Sequence, residues 1–197
     1  EEYKIEVLYN AIVEKDGGEP LLVSCNSTVC DQKLKIIKKK FIKPLENKQN
    51  NYFFNYTVQG CSMIINEKLK TLALPFPDEV YVHDRYFHLL SEFFGKKFFI
   101  DKTLMYYRQH DNNIIGGKLD IMRKILDKRY FDIKDRNLIK RIYITNIKIF
   151  SVKQIKYIES YFRITDLKTN RFKRLYLICN SKIFMSIKKK IFLILKG

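Results

Sequence analysis

The sequence predicts an α/β fold followed by basic amphipathic helices, and three observations carry that prediction. Leu21–Cys30 is an apolar, β-branched run of strand length bounded by Pro20 and Asp31. Between Arg85 and Phe94, apolar residues fall at Tyr86, Leu89, Leu90, Phe93 and Phe94, the i, i+3, i+4, i+7, i+8 spacing of a helix. The charge, finally, is unevenly distributed. The 197 residues carry 38 Lys+Arg against 21 Asp+Glu. Residues 118–197 alone hold 22 basic and 6 acidic residues, a net of +16, which leaves 1–117 near neutral at +1. The expected organisation is therefore a folded part, 1–117, and a basic helical extension, 118–197.

The elements follow in order. Residues 2–14 place Ile5, Leu8, Tyr9 and Ile12 on one face, which predicts an amphipathic helix stopped by Gly17-Gly18. The strand 21–30 comes next, then a polar loop over 38–51. Residues 52–65 read as a strand interrupted at Gln59-Gly60-Cys61, where the glycine marks a bulge or a close approach to the backbone. A short helix over 67–72 ends at the turn around Pro75 and Pro77. The helix from Arg85 ends at Gly95, and Asp84 stands where an N-cap carboxylate is favoured. Residues 96–100 and 104–108 read as two strands around an Asp101-Lys102 turn, delivering Gln109, His110, Asp111, Asn112 and Asn113 at a strand end.

Beyond Gly117 the pattern is helical. One stripe is Ile139, Ile142, Tyr143, Ile147 and Phe150; a second is Phe172, Leu175, Tyr176, Cys179 and Ile183. A third sets Phe184, Ile187, Ile191, Ile194 and Leu195 beside Lys188-Lys189-Lys190.

Composition removes several function classes. With 46% hydrophobic residues, 7 Gly and 4 Pro, the chain is neither disordered nor collagen-like. The four Cys, at 25, 30, 61 and 179, form no CxxC pair, so a zinc ribbon or disulfide scaffold is not expected and a reducing compartment is. Apolar runs reach about five residues, against the ~18 of a membrane span. The Glu1-Glu2-Tyr3-Lys4 start has no apolar stretch behind it and does not read as a signal peptide. His83-Asp84 lacks the upstream histidine of a metal phosphohydrolase, His83 and His88 lack the HExxH spacing, and no phosphate loop is present.

The chemistry lies in an ordered series. Gln59-Gly60-Cys61-Ser62-Met63-Ile64-Ile65-Asn66 is followed by Pro75-Phe76-Pro77 and by His83-Asp84 at the head of an apolar helix ending at Gly95. Tyr106-Tyr107-Arg108-Gln109-His110-Asp111-Asn112-Asn113 closes it. Over residues 1–117 this series resembles the second half of bacterial family 2 glycosyltransferases, in particular the rhamnosyltransferase-like enzymes of surface polysaccharide synthesis (lipopolysaccharide, capsule). Residues 21–37, with Asp31 at the turn, resemble the strand and turn after that family's nucleotide site.

The resemblance implies a GT-A fold and inverting transfer from a nucleotide-sugar to a saccharide or lipid-linked acceptor. It implies Asp84 as general base, Gly60 and Cys61 lining the donor–acceptor cleft, and His83, Arg108 and Gln109 as flanking substrate contacts. It also implies His110 as a ligand to a divalent metal, Mg or Mn, on the leaving diphosphate. The family's nucleotide-binding half, with its Asp-x-Asp motif, is expected before residue 1. The chain is thus expected to be a C-terminal portion, inactive alone, with most metal ligands elsewhere. Its basic tail is expected to hold it at the inner, cytoplasmic face of the bacterial membrane, on anionic lipid. The alternative is a non-catalytic basic module binding nucleic acid through Tyr157, Tyr161, Phe162, Arg163, Phe172 and Lys173. No nucleic-acid motif supports it, so nucleic acid is not the expected partner.

Overall fold

The computed structural model describes residues 3–42, 58–109, 121–166, 168–181, 183, 190, 191, 193 and 194, with side chains left out over 121–132. Two compact units are present, Glu1–Leu45 with Thr57–Ile133, and Glu46–Tyr56 with Lys134–Gly197.

The first unit is α/β. Its centre is β1, Leu21–Cys30, buried at nine of ten positions. On one edge β1 pairs antiparallel with β3, Met63–Ile65, through Leu22–Ile65, Val23–Ile64 and Ser24–Met63, and with the short β2, Ile36–Lys38. On the other it runs parallel to β4, Lys96–Arg108. Alternation along β1 sends Leu21, Val23 and Cys25 to one face, where α1, Lys4–Lys15, covers them with Leu8 and Ile12. On that helix Ile5 and Tyr9 are exposed, so the buried stripe is Leu8 and Ile12, with Val7 and Ala11 packed beside them, not the four residues expected.

β4 corrects a second expectation. Residues 96–108 form one strand, and Asp101-Lys102 is a bulge within it. The register to β1 jumps from Cys25–Ile100 to Asn26–Thr103, then to Thr28–Tyr106. The Asp101 side chain is used inside the sheet, accepting from Asn26 Nδ2 at 2.9 Å and from Lys40 Nζ at 2.5 Å. Asn26, fully buried, also donates to the Ile42 carbonyl and accepts from the Ile42 N–H, and so ties three segments together.

α2, Glu67–Ala73, is capped by Asn66, whose Oδ1 accepts from the Leu69 N–H and from the Leu21 N–H. α3, His83–Phe94, is buried nearly all round: Arg85, Phe87, His88 and Ser91 are enclosed along with the apolar residues that predicted it. Its N-cap is Val82, so Asp84 lies inside the first turn and does not cap it. Gly95 ends α3 for a different reason from the expected left-handed cap. Its φ is −157°, and a Cβ there would lie 1.8 Å from the Pro20 carbonyl oxygen, which accepts from the Lys96 N–H at 2.8 Å. The helix stops where the chain must press against Pro20 to enter β4.

The second unit is helical. α4, Ile121–Asn146, starts in the first unit's segment and contributes Leu138, Ile139 and Ile142 to this core; Ile147, past its end, is exposed. α5, Val152–Thr165, opens on a capping box between Ser151 and Gln154 and buries Tyr157, Ile158, Tyr161 and Ile164. α6, Arg171–Asn180, buries Arg174 and Ile178. In the second stripe, Phe172, Leu175, Tyr176 and Cys179 face solvent, and Ile183 alone of that set is buried. Of the third stripe, Ile191 is exposed, Ile194 half-buried, and the other members lie outside the described residues. No helix among the described residues is long and apolar enough to cross a membrane.

Candidate functional site

Four of the residues singled out from the sequence meet at the head of α3. The tight 3-10 turn Gly60–Ser62 is built locally: the Gln59 carbonyl accepts from the Ser62 N–H at 2.8 Å and from Ser62 Oγ at 3.1 Å. Gln59 is itself anchored to β1, its Oε1 accepting from Ser27 Oγ at 2.7 Å. This aims the Gly60 N–H at α3, where Asp84 Oδ2 accepts it at 2.9 Å. The other oxygen, Asp84 Oδ1, is buried and takes no hydrogen bond from the described residues. A carboxylate oxygen left so costs on the order of 1–3 kcal/mol.

At Gly60 the space a side chain would take is filled by His83. A Cβ would lie 2.4 Å from His83 Nε2. The exposed His83 ring thus lies over the Gly60 backbone, beside the carboxylate of the next residue. Cys61 follows, its carbonyl accepting from Lys4 Nζ at 3.2 Å. The Cys61 residue reaches solvent, yet partial burial of its sulfur raises the thiol pKa, and the nearby Asp84 charge raises it further while Lys4 opposes. The Tyr107 phenol is likewise raised, first by burial and then by the Cys61 and Asp84 charges.

Arg108 and Gln109 stand at the end of β4, where the Gln109 N–H continues the ladder to the Cys30 carbonyl at 2.8 Å. Strand alternation puts Gln109 on the side of Tyr107 and Arg108 on the opposite side. His110, with Asp111, Asn112 and Asn113, lies outside the described residues. Lys4 and Tyr107 were not singled out. Tyr107 sat inside the 106–113 series, whereas nothing local in the sequence links Lys4 to Cys61, 57 residues away.

No group of three or more His, Cys, Asp or Glu suited to a metal occurs among the described residues. No protein-family model matches the chain, and no curated protein or solved structure matches it significantly.

Proposed function

We propose that the first unit is the acceptor side of an inverting glycosyltransferase of bacterial surface polysaccharide synthesis, with Asp84 as its general base. In this reaction Asp84 takes the proton of an acceptor hydroxyl as that oxygen attacks the anomeric carbon of a nucleotide-sugar. The bond from the anomeric carbon to the diphosphate breaks, and the nucleoside diphosphate leaves with the electron pair. A divalent cation, when bound, would neutralise that leaving group; its ligands are to be sought outside the described residues.

The observation that supports this reading best is the division of labour in one carboxylate. Oδ2 is fixed by the Gly60 N–H, which sets the orientation, and Oδ1 is desolvated without a donor among the described residues. An acceptor hydroxyl is the donor that would complete it. The exposed His83 ring, lying over Gly60, is placed to contact that acceptor. The acceptor in this reading is a saccharide or lipid-linked saccharide at the inner face of the membrane, and the donor half of the cleft is supplied from outside the described residues.

The test is a transfer assay on the enzyme assembled with its donor-binding half, over a panel of nucleotide-sugars. Asp84→Asn keeps an acceptor oxygen for the Gly60 N–H but cannot take a proton, so transfer should fall by ~10²–10⁴-fold with donor binding retained. Transfer within a few-fold of wild type would remove Asp84 from the chemistry. The alternative, a basic module for nucleic acid, makes a different forecast: duplex binding by the second unit and no transfer activity at all.

A further inference from the structure

We propose that the outward face of α6 docks on an anionic lipid bilayer. This adds to the reading above the surface that touches lipid, and it is testable with no transfer activity, so either can fail alone.

The helix is turned inside out relative to the usual arrangement. Phe172, Leu175, Tyr176 and Cys179 fall at i, i+3, i+4 and i+7, one continuous stripe. Phe172 is 86% exposed, Tyr176 68% and Leu175 43%. The opposite face holds Arg174 and Ile178 at 1% and 4%. α6 cannot roll to hide the stripe, because Arg174 pins it. Its Nη1 donates to the Leu193 carbonyl at 2.9 Å, and its Nη2 to the Asp166 and Thr169 carbonyls at 2.7 and 2.8 Å. A charged side chain that would ordinarily seek water is buried, and four side chains of the apolar stripe are held in water.

Charge identifies the occupant. From Leu167 to Gly197 the chain has nine Lys+Arg and no Asp or Glu. Exposed Lys168 and Lys173 border the stripe, placed to reach anionic headgroups while the stripe enters the boundary below them. A nucleic acid would meet the cations and could stack on Phe172 and Tyr176, but it would leave aliphatic Leu175 and the Cys179 end of the stripe in water. Lipid satisfies both halves of the surface.

The experiment is flotation of the full chain with vesicles of phosphatidylcholine mixed with phosphatidylglycerol, and with phosphatidylcholine alone, at low and high salt. Peptide-resolved alkylation of Cys179 is the second readout. Capture by the anionic vesicles should exceed capture by the neutral ones, weaken as salt rises, and slow Cys179 labelling. The double variant Phe172→Ser/Tyr176→Ser should reduce capture at least ~10-fold with its circular dichroism unchanged, since both residues are exposed. Lys168→Ser/Lys173→Ser should weaken capture by anionic vesicles and leave the neutral ones unaffected. Capture indifferent to the Phe172 and Tyr176 changes, or Cys179 labelling unchanged on bound vesicles, would overturn the proposal. So would protection of Cys179 by self-association or by duplex DNA in place of lipid, which would reassign the face to a second copy or to nucleic acid.

Discussion

The Gly60 N–H donates to Asp84 Oδ2 at 2.9 Å across 24 residues of sequence, and the ring of His83 fills the space where a Gly60 side chain would be. One backbone donor and one missing methyl group thus set both the aim of the carboxylate and the position of its neighbour.

Gly60→Ala follows directly. The new methyl meets only the His83 ring, an exposed and movable group, so the backbone need not shift. Stability should change by less than about 1 kcal/mol, with the His83 ring displaced. Adding His83→Ala removes the clash, so urea denaturation of the single and double variants should show the methyl to be harmless once the ring is gone. A large loss persisting in the double variant would mean that the turn itself needs glycine.

Gly95→Ala should behave in the opposite way. Here the methyl meets the Pro20 carbonyl, part of the backbone, and that same oxygen accepts the Lys96 N–H that starts the β1–β4 ladder. Neither side can yield without opening the sheet. A loss of about 3 kcal/mol is expected in chemical denaturation, with helix content retained in the second unit. A variant as stable as wild type would show that α3 and β4 can part at this corner.

These two glycines also show what the sequence made legible. Gly60 and Gly95 were both marked by position, one within a strand-like run and one after a helix, because punctuation is local. β1, α2 and the existence of α3 were readable for the same reason. The sense of burial was not. On α1, Ile5 and Tyr9 share a helical face with Leu8 and Ile12 by arithmetic, but the helix is turned so that Val7 and Ala11 pack toward the sheet instead. On α6 the stripe is legible as a stripe, but which way it faces is not, because three backbone carbonyls hold Arg174 in the interior. The Asp101-Lys102 bulge looked like a turn since polar residues serve both; the pairing with Asn26 and Lys40 that makes it a bulge is non-local. The head of α3 was legible as a set of residues, whereas the contribution of Lys4 and Tyr107 depended on the fold.

The ion pair between Lys97 and Glu92 supplies a prediction in pH. Both side chains are largely enclosed, at 16% and 20% exposure, and the Lys97 ammonium lies 3.3 Å from His88 Nδ1. Burial lowers the Lys97 pKa below its ordinary value, with Glu92 opposing. The unfolded chain therefore holds a proton that the folded chain releases earlier. Stability should gain a component that rises with pH from the lowered Lys97 value up to about 10.5, the unfolded value. Lys97→Met should abolish that component, seen as the difference between the two stability–pH curves. At neutral pH, Glu92→Gln alone should cost about 2 kcal/mol by leaving the cation enclosed, and Lys97→Met/Glu92→Leu should recover most of it. Identical pH curves for wild type and Lys97→Met would show that the lysine is solvated in the folded chain.

Arg174 tests the second unit on its own terms. Its guanidinium satisfies three carbonyls at once, on Leu193, Asp166 and Thr169, a task that depends on a planar group with donors in several directions. Arg174→Leu fills much of the same space and removes every donor, so three carbonyls lose their partner where water has little access. The expected cost is about 3 kcal/mol, read as a lowered midpoint for the helical unit in thermal or urea unfolding. Arg174→Lys keeps the charge but offers a point donor that cannot span all three, and should recover less than half of the loss. Hydrogen exchange gives the local signature: faster exchange in both variants at the α5–α6 connection, around Asp166 to Asn170, ahead of α5 itself. Should Arg174→Leu prove as stable as wild type, the guanidinium would be a passenger, α6 would be free to roll, and the outward placement of Phe172 and Tyr176 would lose the restraint that holds it.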